Sequence, residues 1–298
     1  MSAAFGTPVN LPRFRPPAEA GSLVLQVDEG CPHNTCTFCG MYKGMRFRPR
    51  PLEEIRALVA AESARDPDAR RVFLADGDVL HRDPGELASI LEILGAALPR
   101  LARVAAYANG RSLASKTAAD LSRLRALRLR TLYLGLESGD EATLRSARKG
   151  ETAATMVEGC RRAAAAGLRV SVMVLLGLSG PARSQDHARA TADALNRMDP
   201  PLLSALRVIP VPGTPLHRDL EAGRFQPLTA WEAVRELRWI LEGLDLHGTV
   251  FRADHASNVV PLEGRLPRDR EALLGLLDQL LASDLLDRRS PGPAPLWL

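Results

Sequence analysis

Cys31, Cys36 and Cys39 fall within nine residues, spaced C-x4-C-x2-C, just after the apolar run 23–27. Three thiolates on one loop form a soft metal site rather than a disulfide framework. A four-iron cluster takes four ligands. A chain that supplies three leaves one iron open to a small molecule, and function is expected at that open position. Zinc is the rival metal, because His33 beside the cysteines would complete a Cys3His set. Zinc knots usually draw on two separated ligand pairs, however, and this is one loop. The fourth cysteine, Cys160, sits in an Ala-rich helical stretch and reads as a small buried hydrophobe.

The elements that must position this loop alternate between strand and helix. Apolar runs at 23–27, 71–75, 103–108, 131–136, 169–176 and 203–209 read as buried parallel strands. Amphipathic stretches at 52–64, 85–98, 116–127, 151–166 and 185–197 read as the helices between them. A helix pair at 229–241 and 268–281 follows, with a short seventh strand at 248–253 between its members. This order implies a parallel sheet, either doubly wound or a full or partial barrel. In each case function gathers on the loops after the strand C-termini. Those loops hold the cysteines, Asp76-Gly77-Asp78, Asn109-Gly110, Glu137-Ser138-Gly139, Gly177-Leu-Ser-Gly180 and Pro210-Val-Pro-Gly-Thr214.

The chain has 298 residues, 46% hydrophobic and 25% charged, which suits one large globular domain. Residues 1–20 are Pro-rich and read as a flexible segment, and 290–298 read as a loose tail. Lys and Arg total 39 against 35 Asp and Glu, for a net charge of +4. The basic residues are spread along helices among acidic ones, so no nucleic-acid partner is expected. No apolar run reaches the roughly 18 residues of a membrane helix, and no signal-peptide layout stands at the start. A cytoplasmic protein without a membrane partner is expected.

The cysteine loop resembles that of the radical S-adenosylmethionine (radical SAM) superfamily, C-x3-C-x-aromatic-C, with Phe38 in the aromatic position and one extra residue in the first gap. The likeness continues along the chain, over roughly 23–216. Ala75-Asp76-Gly77-Asp78 is similar to the strand-two Gly-Gly-Glu motif that holds the methionine amino group. Leu134-Gly-Leu-Glu137-Ser-Gly139 with Lys149-Gly-Glu-Thr152 resembles the strand-four region of the Elongator, methylthiotransferase and coproporphyrinogen dehydrogenase branch. Val172-Met-Val-Leu-Leu-Gly177-Leu-Ser-Gly180 resembles the glycine motif near adenine.

The resemblance implies a partial (β/α)6 TIM-like barrel with a short C-terminal extension. Its core would span 21–222, and an extension at 223–289 would close the barrel. It implies two cofactors, a [4Fe–4S] cluster on Cys31, Cys36 and Cys39 and S-adenosylmethionine on the open iron. Cleavage of the sulfonium would yield a 5′-deoxyadenosyl radical that takes hydrogen from a small-molecule substrate. A ferredoxin or flavodoxin would donate the electron. Glu137 would bind the ribose hydroxyls or stand beside a helix N-cap. Lys149 would meet the methionine carboxylate or cap a solvated helix end. Asn109 would bond cofactor or substrate, or take a turn conformation before Gly110. Asp76, Gly77 and Asp78 would serve the methionine end, or the two Asp would be loop caps. Phe38, Tyr42, Gly177, Gly180 and Ile209 would lie by the adenine.

The polar stretch Phe251-Arg-Ala-Asp-His255-Ala-Ser-Asn258 resembles a segment of a group of short radical SAM proteins. His255 would move a proton and Asn258 would orient a substrate group, or the stretch would simply close the barrel. Two further readings remain open: tRNA or protein modification within the same superfamily, and a non-enzymatic zinc-binding protein.

Overall fold

The computed structural model describes residues 14–292. Eight strands form one sheet in sequential order: β1 Leu23–Gln26, β2 Arg71–Ala75, β3 Arg103–Ala108, β4 Leu129–Glu137, β5 Arg169–Leu176, β6 Leu202–Arg207, β7 Thr249–Arg252 and β8 Glu263–Leu266. The first seven run parallel and β8 returns antiparallel to β7. The edges β1 and β8 do not pair, so the extension adds strands to the barrel without closing it. A two-residue ladder, Asp28–Glu29 against Arg48–Pro49, lies after β1.

Helices fill the crossovers: α1 Leu52–Arg65, α2 Pro84–Ala97, α3 Gly110–Ala114, α4 Ala118–Ala126, α5 Glu141–Ser146, α6 Ala153–Ala165, α7 Ser184–Met198, α8 Pro215–Glu221, α9 Ala230–Gly243 and α10 Arg270–Ala282. Their starts follow capping chemistry. Thr117 and Thr229 form capping boxes with Asp120 and Glu232. Asp140, Thr152 and Thr214 accept from backbone N–H groups of the first turns of α5, α6 and α8.

Strand alternation gives the sheet two unlike faces. Leu25, Val72, Leu74, Val104, Ala106, Leu132, Leu134, Val172, Val174, Leu203, Ala205 and Phe251 point out to the helices and form the main core. Val24, Phe73, Ala105 and Tyr133 point inward, with Tyr107 and Met173 beside them. The sequence ranges for the strands and long helices agree with these elements to within a few residues. Patterning gave no signal for the short helices α3, α5 and α8 or for β8, which are too brief to show a period.

The N-terminal segment differs from its expectation as far as it is described. Glu19, fully buried, accepts from Tyr133 Oη at 2.8 Å and from both Arg103 terminal nitrogens at 2.7 and 3.1 Å. The segment therefore seals the barrel at the strand N-termini instead of hanging free. Residues 1–13 lie outside the described residues. The tail likewise begins docked: Ser290 O accepts from Ala230 N, and Pro291 O accepts from Arg207. Residues 293–298 lie outside the described residues.

Candidate active site

The polar loops meet at the C-terminal rim of the strands. The cysteine loop is stitched there on three sides. Thr37 N donates to Ala147 O at 2.9 Å and Thr37 O accepts from Leu216 N at 3.0 Å. Phe38 packs on the buried cluster of Ala147, Leu178, Val208 and Leu216. His33 bonds Arg148 O at 2.8 Å and Thr35 Oγ1 at 2.7 Å. Its Nε2 is thus held by the backbone after α5. Asn34 turns the longer first gap in a left-handed conformation, φ 37°. Its carboxamide donates to Tyr42 O and Met45 O, and its own carbonyl accepts from Lys43 Nζ. Asn tolerates that conformation better than most residues.

The loop also rests on the end of β2. Gly77 N donates to Gly30 O at 3.2 Å, and Gly30 N donates to Asp76 Oδ2 at 2.9 Å. A Cβ on Gly77 would stand 2.5 Å from Cys31 Cβ and 2.6 Å from its Sγ, so only glycine permits this approach. Asp76 is fully buried, also accepts from Gln26, and is pushed above the usual carboxylate range by burial. Buried Tyr42 lies near Asp76, but its hydroxyl closes no hydrogen bond of normal geometry. Asp78 accepts from Ser112 Oγ at 2.6 Å and Asn109 N at 3.2 Å, and burial raises it to about 6. It fixes the start of α3, while the Asn109 side chain makes no hydrogen bond among the described residues.

At the end of β4 the register shifts between Gly135 and Glu137, and Glu137 takes φ 61°. Its carboxylate folds back over Gly135, where a Cβ would lie 2.1 Å from Oε1. Lys149 Nζ meets that oxygen at 3.0 Å, with both side chains buried. Burial works against the Lys149 ammonium, but Glu137 and then Cys36 outweigh it, and the net shift is upward. The sequence singled out these two residues separately; the structure joins them.

The three thiols are reduced and partly buried. Burial raises all three, Cys36 to about 12, while Lys149 draws Cys36 down. On the inner face of the sheet below, burial raises the Tyr107 phenol, with Tyr133 and Cys39 adding to the rise. Among the described residues no three His, Cys, Asp or Glu side chains close around a single point. A multi-iron cluster presents its ligand positions at separate corners, and metal charge deprotonates coordinating thiols. The donor set and the glycine cradle at Gly77 fit such a cluster.

After β5, Gly177 and Gly180 both take positive φ, at 81° and 69°. Gly177 N donates to Glu236 Oε1 at 2.7 Å. Glu236 on α9 is fully buried, bonds Ser184 Oγ, and lies 3.5 Å from His187 Nε2, whose Nδ1 reaches Ser138 Oγ at 2.8 Å. Burial holds His187 down to about 4 and Glu236 up to about 7. This polar chain ties the ends of β4 and β5 together and was not foreseen from sequence. A Ser, a His and a Glu on three distant segments carry no spacing signal. Gly177 and Ile209 line one cavity of about 190 Å³ with Val208, Leu228 and Pro291.

The last two candidates lie on the loop after β7. His255 Nδ1 bonds Ser257, and burial lowers the ring below its usual value. Arg207 holds Ser257 through Oγ and through the carbonyl at 2.7 Å. Asn258 donates to Ala205 O and Ala253 O and faces a small gap toward α9, on the helix side of the sheet.

An open α/β barrel with helices on its outer face and a three-thiol loop on its catalytic rim defines an enzyme scaffold built around a metal cluster. The family model described as "Radical SAM superfamily" matches residues 25–189, more than half of the chain, and the chain belongs to that superfamily. Its members are enzymes that use a [4Fe–4S] cluster and S-adenosylmethionine.

Among solved structures, methylornithine synthase (PylB) is similar at 19% identity and TM-score 0.53, over 87% of this chain and 81% of that one. The methyltransferase TsrM from Kitasatospora setae, with cobalamin and a [4Fe–4S] cluster bound, is similar at 19% identity and TM-score 0.55, over 68% of this chain and 40% of that one. The FeFe-hydrogenase maturase HydG from Carboxydothermus hydrogenoformans is similar at 19% identity and TM-score 0.51, over 86% of this chain and 56% of that one. These likenesses show the fold. No curated protein matches the chain by sequence. Among the described residues no helix is long and apolar enough to cross a membrane.

Proposed function

We propose that this enzyme removes a hydrogen atom from a small molecule held against the inner face of the sheet. The observation that carries the reading is placement. The thiol loop, the Glu137–Lys149 pair and the Gly177 turn share one rim, directly above inward residues that are left partly exposed. Cys31, Cys36 and Cys39 would hold the cluster. Glu137 and Lys149 would meet the ribose and carboxylate of S-adenosylmethionine, and Asp76–Asp78 would hold its amino end. When bound, the cluster and S-adenosylmethionine supply a primary carbon radical on reduction; an electron carrier such as ferredoxin or flavodoxin would deliver the electron.

The chain's own residues do the rest. The buried Glu19, bonded to Arg103 and Tyr133, closes the inner space at the strand N-termini, away from the rim. Glu137 and Lys149 present opposite charges from a rigid strand end, which suits a zwitterionic ligand. His255 is the proposed proton carrier, being the one partly buried imidazole on the β7 loop. Asn258 would act through the Ala205 and Ala253 carbonyls by fixing the β6–β7 strand ends.

Anaerobic reconstitution with iron and sulfide should give about four irons per chain. Dithionite with S-adenosylmethionine should then release 5′-deoxyadenosine. A reconstituted protein that holds its iron but releases none would refute the proposal, and one zinc with no iron would favour a binding protein instead.

A further inference from the structure

Gly135, Met173, Ser204 and Arg252 are paired in register across β4, β5, β6 and β7. Their strand neighbours Leu134, Val172, Leu203 and Phe251 all face the helices. The row therefore lies on the inner face, one step below the rim. Its members are partly or fully exposed where those neighbours are buried. The row below it runs Tyr107, Tyr133, Ser171, Leu202 and Val250, largely apolar and aromatic. Leu175 and Leu206 pair in the row above.

The two ends of the Gly135 row are charged. At one end the Glu137–Lys149 pair folds over Gly135. At the other, Arg252 is exposed and makes no side-chain hydrogen bond or ion pair among the described residues. Glu263, its cross-strand partner on β8, forms no ion pair with it. Three strand spacings separate the ends, about 14 Å along the sheet. Between them lie a thioether, a small hydroxyl and aliphatic side chains.

We propose that Arg252 anchors the substrate by a carboxylate, with an aliphatic portion running across Met173 and Leu206 toward Gly135. The assignment rests on the proposed placement of substrate on the inner face. A guanidinium takes a carboxylate through two parallel hydrogen bonds, and one such fork suffices for a monoanion. The span then sets the chemistry: the reacting C–H lies several bonds from the anion.

The test is ligand-observed saturation-transfer NMR on the anaerobically reconstituted chain. The probes are straight-chain carboxylates from acetate to decanoate, the matching primary amides, and hexyl phosphate. Binding should strengthen with chain length for the carboxylates and be weak for the amides. Arg252→Gln should weaken the carboxylates about ten-fold or more, and Arg252→Lys should recover part of the loss. No carboxylate binding to wild type, equal binding to Arg252→Gln, or amides binding as well as acids would each overturn the proposal. Preference for hexyl phosphate would overturn it in favour of a phosphoryl anchor. Iron content and 5′-deoxyadenosine release, measured on the same wild-type sample, report separately on the radical chemistry.

Discussion

The Glu137–Lys149 pair offers the sharpest test of how the rim is built. Its side chains are 12% and 8% exposed and 3.0 Å apart, so solvent screens them little. At an effective dielectric near 20, two unit charges at that separation attract by about 5 kcal/mol. Desolvation of both takes back much of this. Lys149→Met leaves a buried carboxylate with no partner, and Glu137→Gln leaves a buried ammonium. Each single change should cost about 3 kcal/mol, with the double variant much less destabilised than their sum. Urea unfolding of the cluster-free wild type, both singles and the double would measure the coupling, expected at about 2–3 kcal/mol. The double variant should regain stability without regaining 5′-deoxyadenosine release, because the charges are gone. The folded Lys149 ammonium is held above its unfolded value, so its contribution is complete below the ordinary lysine value of 10.5 and is lost only as pH climbs through the folded value. The coupling should therefore be flat between pH 6 and 9. Additive single changes, or a double variant with full cofactor cleavage, would refute the reasoning.

Three other outcomes follow from the same geometry. Gly77→Ala puts a methyl 2.6 Å from Cys31 Sγ, and iron bound after reconstitution should fall well below wild type with little change in far-ultraviolet circular dichroism. Glu19→Ala strips the partner from Arg103 and from the Tyr133 hydroxyl, and urea titration should show a loss of about 2–4 kcal/mol. Glu236 is raised to about 7, so the folded state holds its proton longer and stability falls as pH rises from 4.5 to 7; His187, lowered to about 4, has the opposite effect between 4 and 6.5. The two oppose each other between pH 4.5 and 6.5, so the stability of Glu236→Gln relative to wild type should rise with pH over that range, and a flat difference would count against the buried Glu236 carboxyl.

What was legible in the sequence followed from period and from local motif. Buried strands such as 71–75 and 169–176 are continuous apolar runs, and helices such as α9 start at a capping box. Such signals are local and survive in one dimension. The cysteine loop was legible for the same reason, since its ligands lie on one short segment. Pairings between distant segments were not. Glu19 reaches β3 and β4, Glu137 folds onto Lys149, and Glu236 reaches a glycine 59 positions away. Each is a charge whose partner is fixed by the barrel and not by spacing. Arg252 lies within a polar stretch of the sequence, and only strand pairing puts it in register with Ser204. Asn34 turns the first gap through a left-handed conformation that a spacing count alone does not reveal.

The family model stops at residue 189, yet the packing does not. The outer core runs without a break from Leu25 through Val174 to Leu237 and Leu277. Glu236 of α9 supplies the acceptor for Gly177 N, so the turn after β5 is held from a helix beyond the matched region. Arg207 at the end of β6 is locked by Ser257 and by the tail at Pro291, and the tail in turn lines the cavity shared by Gly177 and Ile209. A C-terminal segment that merely capped a finished barrel would leave these groups satisfied without it. Here the buried N–H of Gly177 and the guanidinium of Arg207 would each lose a partner, at a cost of about 1–3 kcal/mol apiece. The rim is assembled from both sides of residue 189: the thiol loop and the Glu137–Lys149 pair come from the matched part, and Glu236, Ser257 and Pro291, which hold Gly177 and Arg207, come from the remainder.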